Sequence, residues 1–590
     1  MKGLSKNEIS SYCGNVLPLT FSGEGEVKWS CDSDIVGVRT FSEGELAFTN
    51  GILLTLKQVG EATVIAECDG VSYPCKIHIR EMKHWSNEEA CNYYAGDFHD
   101  HTTDEHNHDK FAVRDSGFPK DVINSVKEDG KMDFHVISDH TKTLNQRDFF
   151  RGFTDDELIE KEHIVFPGSE SEVTVVEEDR YGIPCKRSGE IVVVNADNYS
   201  YAYSWEEFFD DYKDSPFAVA VLAHPQVSGF SVKGIWNFSL DKNNSPRMRE
   251  LVKGIEMGDG GDRESNMINE YVYSKALDNG FHVSTTCSSD SHGNFGWKYD
   301  NFPGKTIIMA AEKSKEAFLD ALNNQRFYAC SSGNLKLKCF VNGKMAPCTL
   351  DITDSYDFKV DIDYFKEDAS TVPVKCSIIS DRGKELGVIE DEDLSHMEFT
   401  LETDEASYFY LRLVDSEGRK TWSPPIWTGR APKKYTYPEK PLQKDGWTVK
   451  EMYSENDASV LVCDDPRKTW SGKGYTASLI IDMKEVKTVS AIGHYAPFVD
   501  RLEYVKQGIS QSVVMGTMAA QYEIYTSLDG VVFEFRDEGF VRIYGGEEIL
   551  PFDPVEARYI RFDVLSTVGK ATDRKELPHS PVTIAELSVY

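Results

Sequence analysis

Along the middle of the chain, short apolar runs repeatedly stop at a side chain able to bind metal. Phe134-His135-Val136-Ile137 leads into Ser138-Asp139-His140, and Ala218-Val219-Ala220-Val221-Leu222-Ala223 leads into His224-Pro225. Val283-Ser284-Thr285-Thr286-Cys287 leads into Asp290-Ser291-His292, and Val165-Phe166-Pro167-Gly168-Ser169 leads into Glu170. The first of the series ends in Gly96-Asp97-Phe98-His99-Asp100-His101. Apolar runs of this length, bounded by polar residues, read as buried strands. Helical periods separate them, over Phe111–Asp129, Trp205–Asp214, Ile268–Asn279 and Ser314–Asn324, and Asn279-Gly280 reads as a helix C-cap. Strands alternating with helices predict a parallel α/β core over residues 86–333. Ligands at the C-terminal ends of successive strands are what a parallel α/β barrel offers its active site.

The flanks change period. Residues 1–82 alternate as strands, with Val27-Lys28-Trp29-Ser30, Gly51–Leu56 and Gly60–Ala66, and Asp69-Gly70 marks a hairpin. Residues 334–430 alternate again in Val360–Tyr364 and Tyr408–Val414, predicting a small β-sandwich that packs on the α/β core. Residues 431–444 are rich in Pro and Lys, a semi-rigid linker composition. Residues 445–590 are β-patterned to the end. A chain of 590 residues is too long for one core and suits about four domains.

Charge narrows the partners. The net charge of −34 argues against nucleic acid and anionic membrane, since both require basic patches. No run of 18 apolar residues appears, so nothing is expected to span a membrane. Met1–Glu8 lacks the apolar core of a signal peptide, which makes a cytoplasmic location the expectation. The 12 cysteines include no CxxC, so a zinc ribbon is excluded, and buried thiols are expected rather than bridges, even for Cys68 and Cys75.

Ten of the 15 histidines fall between His99 and His292, which raises a metal site over ordinary loop histidines. On a strand, His99 and His101 point to one face and converge just past its end. His106 follows five residues later, with His108 as a nearby rival. Imidazole suits zinc, iron or manganese. No Ser-His-Asp order, Walker loop or GxGxxG competes.

The ordered motifs GDxHxHT, SDH, PGxE, AHP and SDSH resemble the PHP superfamily (polymerase and histidinol phosphatase). Gly304–Ile308 and Ala321–Tyr328 resemble its carbaryl-hydrolase-like branch. The resemblance implies a distorted (β/α)7 barrel holding two or three divalent transition-metal ions (Zn, Mn or Fe). It implies that His99 and His101 share one metal with Glu170 and Asp290, that His106, His140 and His292 hold a second, and that His224 belongs to a third beside Glu170. Glu170, Asp290 and His224 are then the catalytic candidates. Where the family has Gly-His, this chain has Gly189-Glu190, so either Glu190 replaces an imidazole or the third ion is lost.

The N-terminal order, with its KWS and GxATVxA strands, resembles bacterial Ig-like group 2 domains. Val462–Trp470, Ala477–Asp482, Tyr522–Gly530, Ala557–Phe562 and Ile584–Tyr590 resemble a discoidin (coagulation-factor type C) domain of galactose-binding fold. That resemblance implies a carbohydrate ligand and a structural Ca²⁺ held by Asp465, Thr469 and Glu586. The domain is expected to target substrate without taking part in the chemistry.

The implied activity is that of a metal-dependent hydrolase, foremost a phosphomonoesterase or phosphodiesterase acting on a small or glycan-linked ester through a metal-bound hydroxide. The alternatives are carboxyl-ester or carbamate hydrolysis at the same site, or glycan-binding adhesion with an inactive barrel.

Overall fold

The computed structural model describes the chain apart from residues 1, 42–47, 102–131, 142–143, 145–148, 151, 154–162, 179, 183, 202–203, 226–245, 259–265, 291–303, 453–456, 498–515, 542–545 and 570–580. It is rich in β-structure, and four α-helices lie among the described residues.

The N-terminal unit is a sandwich of two four-stranded sheets. Leu19, Ile52, Leu54, Val64 and Ile77 fill the space between them and are shielded from solvent. The alternation read in the sequence places these residues inward. The expected hairpin at Asp69-Gly70 forms, with both residues at positive φ. Cys68 lies opposite Val71 and Cys75 opposite Val64, so the two thiols are out of register and both are free.

The central sheet is built from β1 (Asn92–Asp100), β2 (Phe134–Ile137), β3 (Ile164–Glu178), β4 (Pro184–Val194), β5 (Val219–Ala223), β6 (Val252–Glu256), β7 (Ser284–Thr286), β8 (Lys305–Ala310) and β9 (Phe327–Cys330). Its spatial order is β7-β6-β5-β4-β3-β2-β1-β8-β9. β1, β2 and β3 run parallel, as do β5, β6 and β7. The sheet curls until β7 meets β8 and β9 through hydroxyls. Ser284 Oγ donates to the Phe327 carbonyl, Ala329 N donates to Thr285 Oγ1 at 3.0 Å, and Cys287 N donates to Thr306 Oγ1 at 3.0 Å.

This departs from the expected (β/α)7 alternation. β3 and β4 form an antiparallel hairpin of eleven register pairs, and β8 and β9 are also antiparallel. Antiparallel neighbours need no crossover helix. The described helices are α1 (Trp205–Asp211), α2 (Pro246–Leu251), α3 (Asn266–Asp278) and α4 (Lys315–Asn323). The helix expected over Phe111–Asp129 lies outside the described residues. α4 starts at Ser314, whose hydroxyl accepts from Ala317 N, a helix N-cap. α3 ends as expected at Gly280, with φ +74°.

Alternate residues of β4 and β5 serve two cores. Val192, Val194, Val219 and Val221 face inward with Phe98, Phe134, Phe166 and Phe318 of α4. Ile191, Val193, Ala220 and Leu222 face α1–α3. β9 continues the sheet into the second sandwich through the pair Cys330↔Thr421, so the two units share one backbone ladder.

The C-terminal unit is a β-sandwich with a six-stranded main sheet that includes Ala477–Ala496 and Gly546–Thr567. Cations fasten the boundaries between units. Arg80 pairs with Glu316, Arg412 with Glu270, Arg382 with Asp537, Arg180 with Glu586, and Lys275 with Glu548. Among the described residues, no helix is long and apolar enough to cross a membrane.

Candidate metal centre

β1 comes close against β2 where the chain has no side chain. A Cβ on Gly96 would overlap the Phe134 carbonyl oxygen. The strand then runs buried to its end, and His99 and His101, two residues apart, turn to the same point. Their Nε2 atoms are 3.1 Å apart. Glu170 reaches the same point from β3. Its backbone is fixed by Glu170 N to the Asp139 carbonyl at 3.0 Å and Thr141 N to the Glu170 carbonyl at 2.8 Å, which also sets His140 beside it. His224 follows the last residue of β5, and Asp290 follows β7. Both have positive φ, and Asp290 N donates to the His99 carbonyl at 3.0 Å.

Glu170 is the hub. Its Oε2 lies 2.7 Å from His140 Nδ1, 3.3 Å from His99 Nε2 and 3.5 Å from His101 Nε2. Its Oε1 lies 3.1 Å from His224 Nε2. Asp290 Oδ1 is 3.0 Å from His101 Nε2 and 3.4 Å from His99 Nε2. The groups form two overlapping ligand sets, His99–Glu170–His224–Asp290 and His101–His140–Glu170, sharing the one carboxylate. Glu190 is not in either set, but its Oε2 lies 3.4 Å from His224 Nε2. His106, His108 and His292 lie outside the described residues.

The electrostatics reflect this crowding. Burial disfavours a charged His224, but the Glu170 hydrogen bond and the Glu170, Glu190 and Asp290 carboxylates push its pKa up to about 9. His99 is likewise driven well above the ordinary imidazole range, against burial, by Glu170, Asp290 and Glu256. Burial opposes the charge on Glu170, yet His140 and His99 hold it well below the usual carboxylate range. The donor set fits a divalent ion. Two imidazole nitrogens face each other at hydrogen-bond distance, a pair that cannot both donate to one another, and imidazole with carboxylate suits Zn, Mn or Fe.

Two acids at the site were not singled out from the sequence. Glu256, the last residue of β6, accepts from His224 N at 2.7 Å and lies 3.4 Å from His99 Nδ1. Its signal was available: Val252-Lys253-Gly254-Ile255-Glu256 is another apolar run that stops at an acid. Asp97 accepts from His99 N at 3.0 Å and Ser289 N at 3.2 Å, and burial raises its pKa to about 6.

Other histidines and a cysteine of the region lie outside the two ligand sets. His135 and His163 form a separate buried pair at 2.9 Å. His282 stacks on Trp427 with centroids 4.0 Å apart. Cys287 is a buried thiol whose pKa is raised by that burial. At the expected Ca²⁺ position, the Lys444 ammonium meets Glu586 Oε1, and Asp465 Oδ1 accepts from Arg467 N at 3.3 Å in its own turn. The two ligand sets found among the described residues do not include Asp465 or Glu586.

No protein-family model and no curated protein matches the chain. Several solved structures are similar to about a quarter of the chain. One is CBM32-5 of a family 89 glycoside hydrolase from Clostridium perfringens, in complex with GalNAc-β-1,3-galactose. It is 16% identical, with a TM-score of 0.20, and the match covers 26% of this chain and 99% of that one. A second is the family 32 module of C. perfringens NanJ in complex with galactose, at 18% identity and TM-score 0.20, covering 25% and 96%. A third is the C-terminal domain of a chitobiase from Bacteroides fragilis, at 17% identity and TM-score 0.20, covering 26% and 97%. Similarity at this level carries no functional argument.

Proposed function

We propose that the chain is a metal-dependent hydrolase of the PHP type, acting foremost on phosphate mono- or diesters. The supporting observation is the convergence of His99, His101, His140, His224 and Asp290 on the buried Glu170 carboxylate. Glu170 is the group suited to bridge two ions, because its two oxygens face different imidazoles. His99, His224 and Asp290 would complete one set with Glu170, with Glu190 near His224, and His101 and His140 would complete the other. Divalent ions held there would lower the pKa of a bound water from 15.7 to about 7 and neutralise charge on a phosphoryl group.

The chain's own residues supply the rest. Glu256 holds the His224 backbone and faces His99 Nδ1, which anchors the chain at His224 and orients the His99 imidazole. Asp97 ties the Ser289 amide to the end of β1, so Asp290 is delivered to the cluster. His140 and Asp290 are the most open members, with side chains 25% and 22% exposed, so an ester approaches from their side.

The test is a screen of protein reloaded with Mn²⁺, Zn²⁺ or Fe²⁺ against aryl phosphates, phosphodiesters, carboxyl esters and carbamates. Turnover of phosphate esters that is lost on chelation supports the proposal. Turnover of carboxyl esters or carbamates alone would move the assignment to that class. Silence on every substrate with metal bound would favour a glycan-binding protein with an inactive centre.

A further inference from the structure

Glu170 and Glu190 stand on the two strands of one hairpin, and both point to its inner face. The sheet supports only the base of that hairpin. Pairing of β3 to β2 stops at Pro167, with one further bridge at Glu170, and pairing of β4 to β5 begins at Glu190. Between these limits the hairpin projects as a ribbon that, among the described residues, has no other strand beside it. An isolated two-stranded ribbon is marginal in water, so its tip requires an anchor.

The tip is Arg180-Tyr181, and the anchor is the C-terminal domain. Arg180 Nη2 donates to Ser588 Oγ at 2.6 Å and to Glu586 Oε1 at 2.9 Å, and lies 3.2 Å from Glu547 Oε1. Its Nη1 donates to the Tyr590 hydroxyl at 3.3 Å. The Tyr181 hydroxyl donates to Glu586, and its ring meets Tyr495 edge-on at 5.9 Å. The guanidinium lies over the Tyr181 ring, 4.8 Å from its centroid. Glu586 is sealed from solvent and Glu547 nearly so, at 1% and 12% side-chain exposure. Removing one member of such a desolvated set leaves buried charge behind, which makes the joint stiff.

We propose that Arg180 and Tyr181 are positioning residues through which the C-terminal domain holds the hairpin that carries Glu170 and Glu190. The domain is then a structural part of the candidate centre, not a detachable targeting module. The proposal rests on the metal reading for its consequence, while the mechanical claim stands apart from it.

The experiment compares full-length wild type with Arg180→Met, Arg180→Lys and Tyr181→Phe. The readouts are amide hydrogen exchange over β3 and β4 and titration with Mn²⁺ alone. Lys433→Ala, which removes an exposed pair with Asp553 at the linker, is the control and should change neither. Arg180→Met is expected to speed exchange around residues 168–173 and 189–192 by about tenfold and to weaken Mn²⁺ binding by about tenfold, with Arg180→Lys restoring most of both. Tyr181→Phe, which loses one hydroxyl, is expected to give about a threefold effect and keeps the test open if Arg180→Met does not fold. Exchange at 168–173 equal to wild type in a folded Arg180→Met or Tyr181→Phe protein overturns the proposal. If wild type binds no Mn²⁺, the functional reading fails, and the exchange data still decide whether the hairpin is held from its tip.

Discussion

Metal binding to this site should expel protons at a pH where ordinary histidines are already neutral. His224 titrates at about 9 in the folded, metal-free chain, against 6.5 in the open chain. At pH 7.5 it is therefore almost fully protonated, and a divalent ion must displace that proton to use Nε2. The displacement costs about 2 kcal/mol at pH 7.5, so raising the pH to 9 should tighten the apparent Kd by about 15-fold through this residue alone. Through His224 alone, the same shift contributes stability to the metal-free fold at low pH. The stability contributed by a raised imidazole pKa is complete below 6.5 and is lost as the pH climbs through about 9. Calorimetric titration with Mn²⁺ at pH 7.5, in two buffers of different ionisation enthalpy, counts the protons released. At least one per chain is expected for wild type. In Glu170→Gln, burial is no longer opposed by the nearest carboxylate, so less than half as many protons should be released and binding should be weaker. Binding of Mn²⁺ without proton release in wild type would refute the charged-imidazole account of the site.

Other substitutions probe separate links in the argument. His99→Ala and His140→Ala should each lose metal by elemental analysis while circular dichroism of the flanking sandwiches is unchanged; retention of both ions in either variant would place the ligands elsewhere. Glu256→Gln keeps the shape but not the charge beside His99, and should weaken Mn²⁺ binding by about 10- to 100-fold, with an unchanged affinity ruling out an orienting role. Gly96→Ala forces a methyl onto the Phe134 carbonyl and should cost about 3 kcal/mol or more in urea unfolding, so a wild-type midpoint would contradict the close approach of β1 and β2.

Much of the site could be read from one dimension because its ligands are local to strand ends. His99, His101, His140, Glu170, His224 and Asp290 each follow an apolar run, and the structure brings all six together. Glu256 obeys the same rule but sits in a run containing Lys253 and Gly254, so attention to histidine passed over it. The pairing sense of β3 and β4 was not legible, since Val173–Val176 and Ile191–Val194 look alike whether their neighbours run parallel or antiparallel. The distorted (β/α)7 barrel implied by the resemblance did not anticipate this antiparallel hairpin. The continuity of the sheet at Cys330↔Thr421 and the reach of Arg180 to residues some 400 positions away are long-range facts that leave no periodic mark. The ammonium of Lys444 beside Glu586, 142 positions away, belongs to the same class.

The cationic rivets at the domain boundaries imply an order of dismantling by acid. Burial raises the pKa of Asp537 and of Glu547 above the ordinary values, even with Arg382 and Arg180 beside them. Glu316 behaves oppositely: its hydrogen bonds from Arg80 and Lys83 N outweigh burial and hold its pKa down. As protons are added, Asp537 and Glu547 at the C-terminal boundary neutralise before Glu316 at the N-terminal one. The apolar interiors carry no such titration. Mild acid should therefore loosen the C-terminal domain first, with hydrodynamic radius growing while the units that share the Cys330↔Thr421 ladder stay joined.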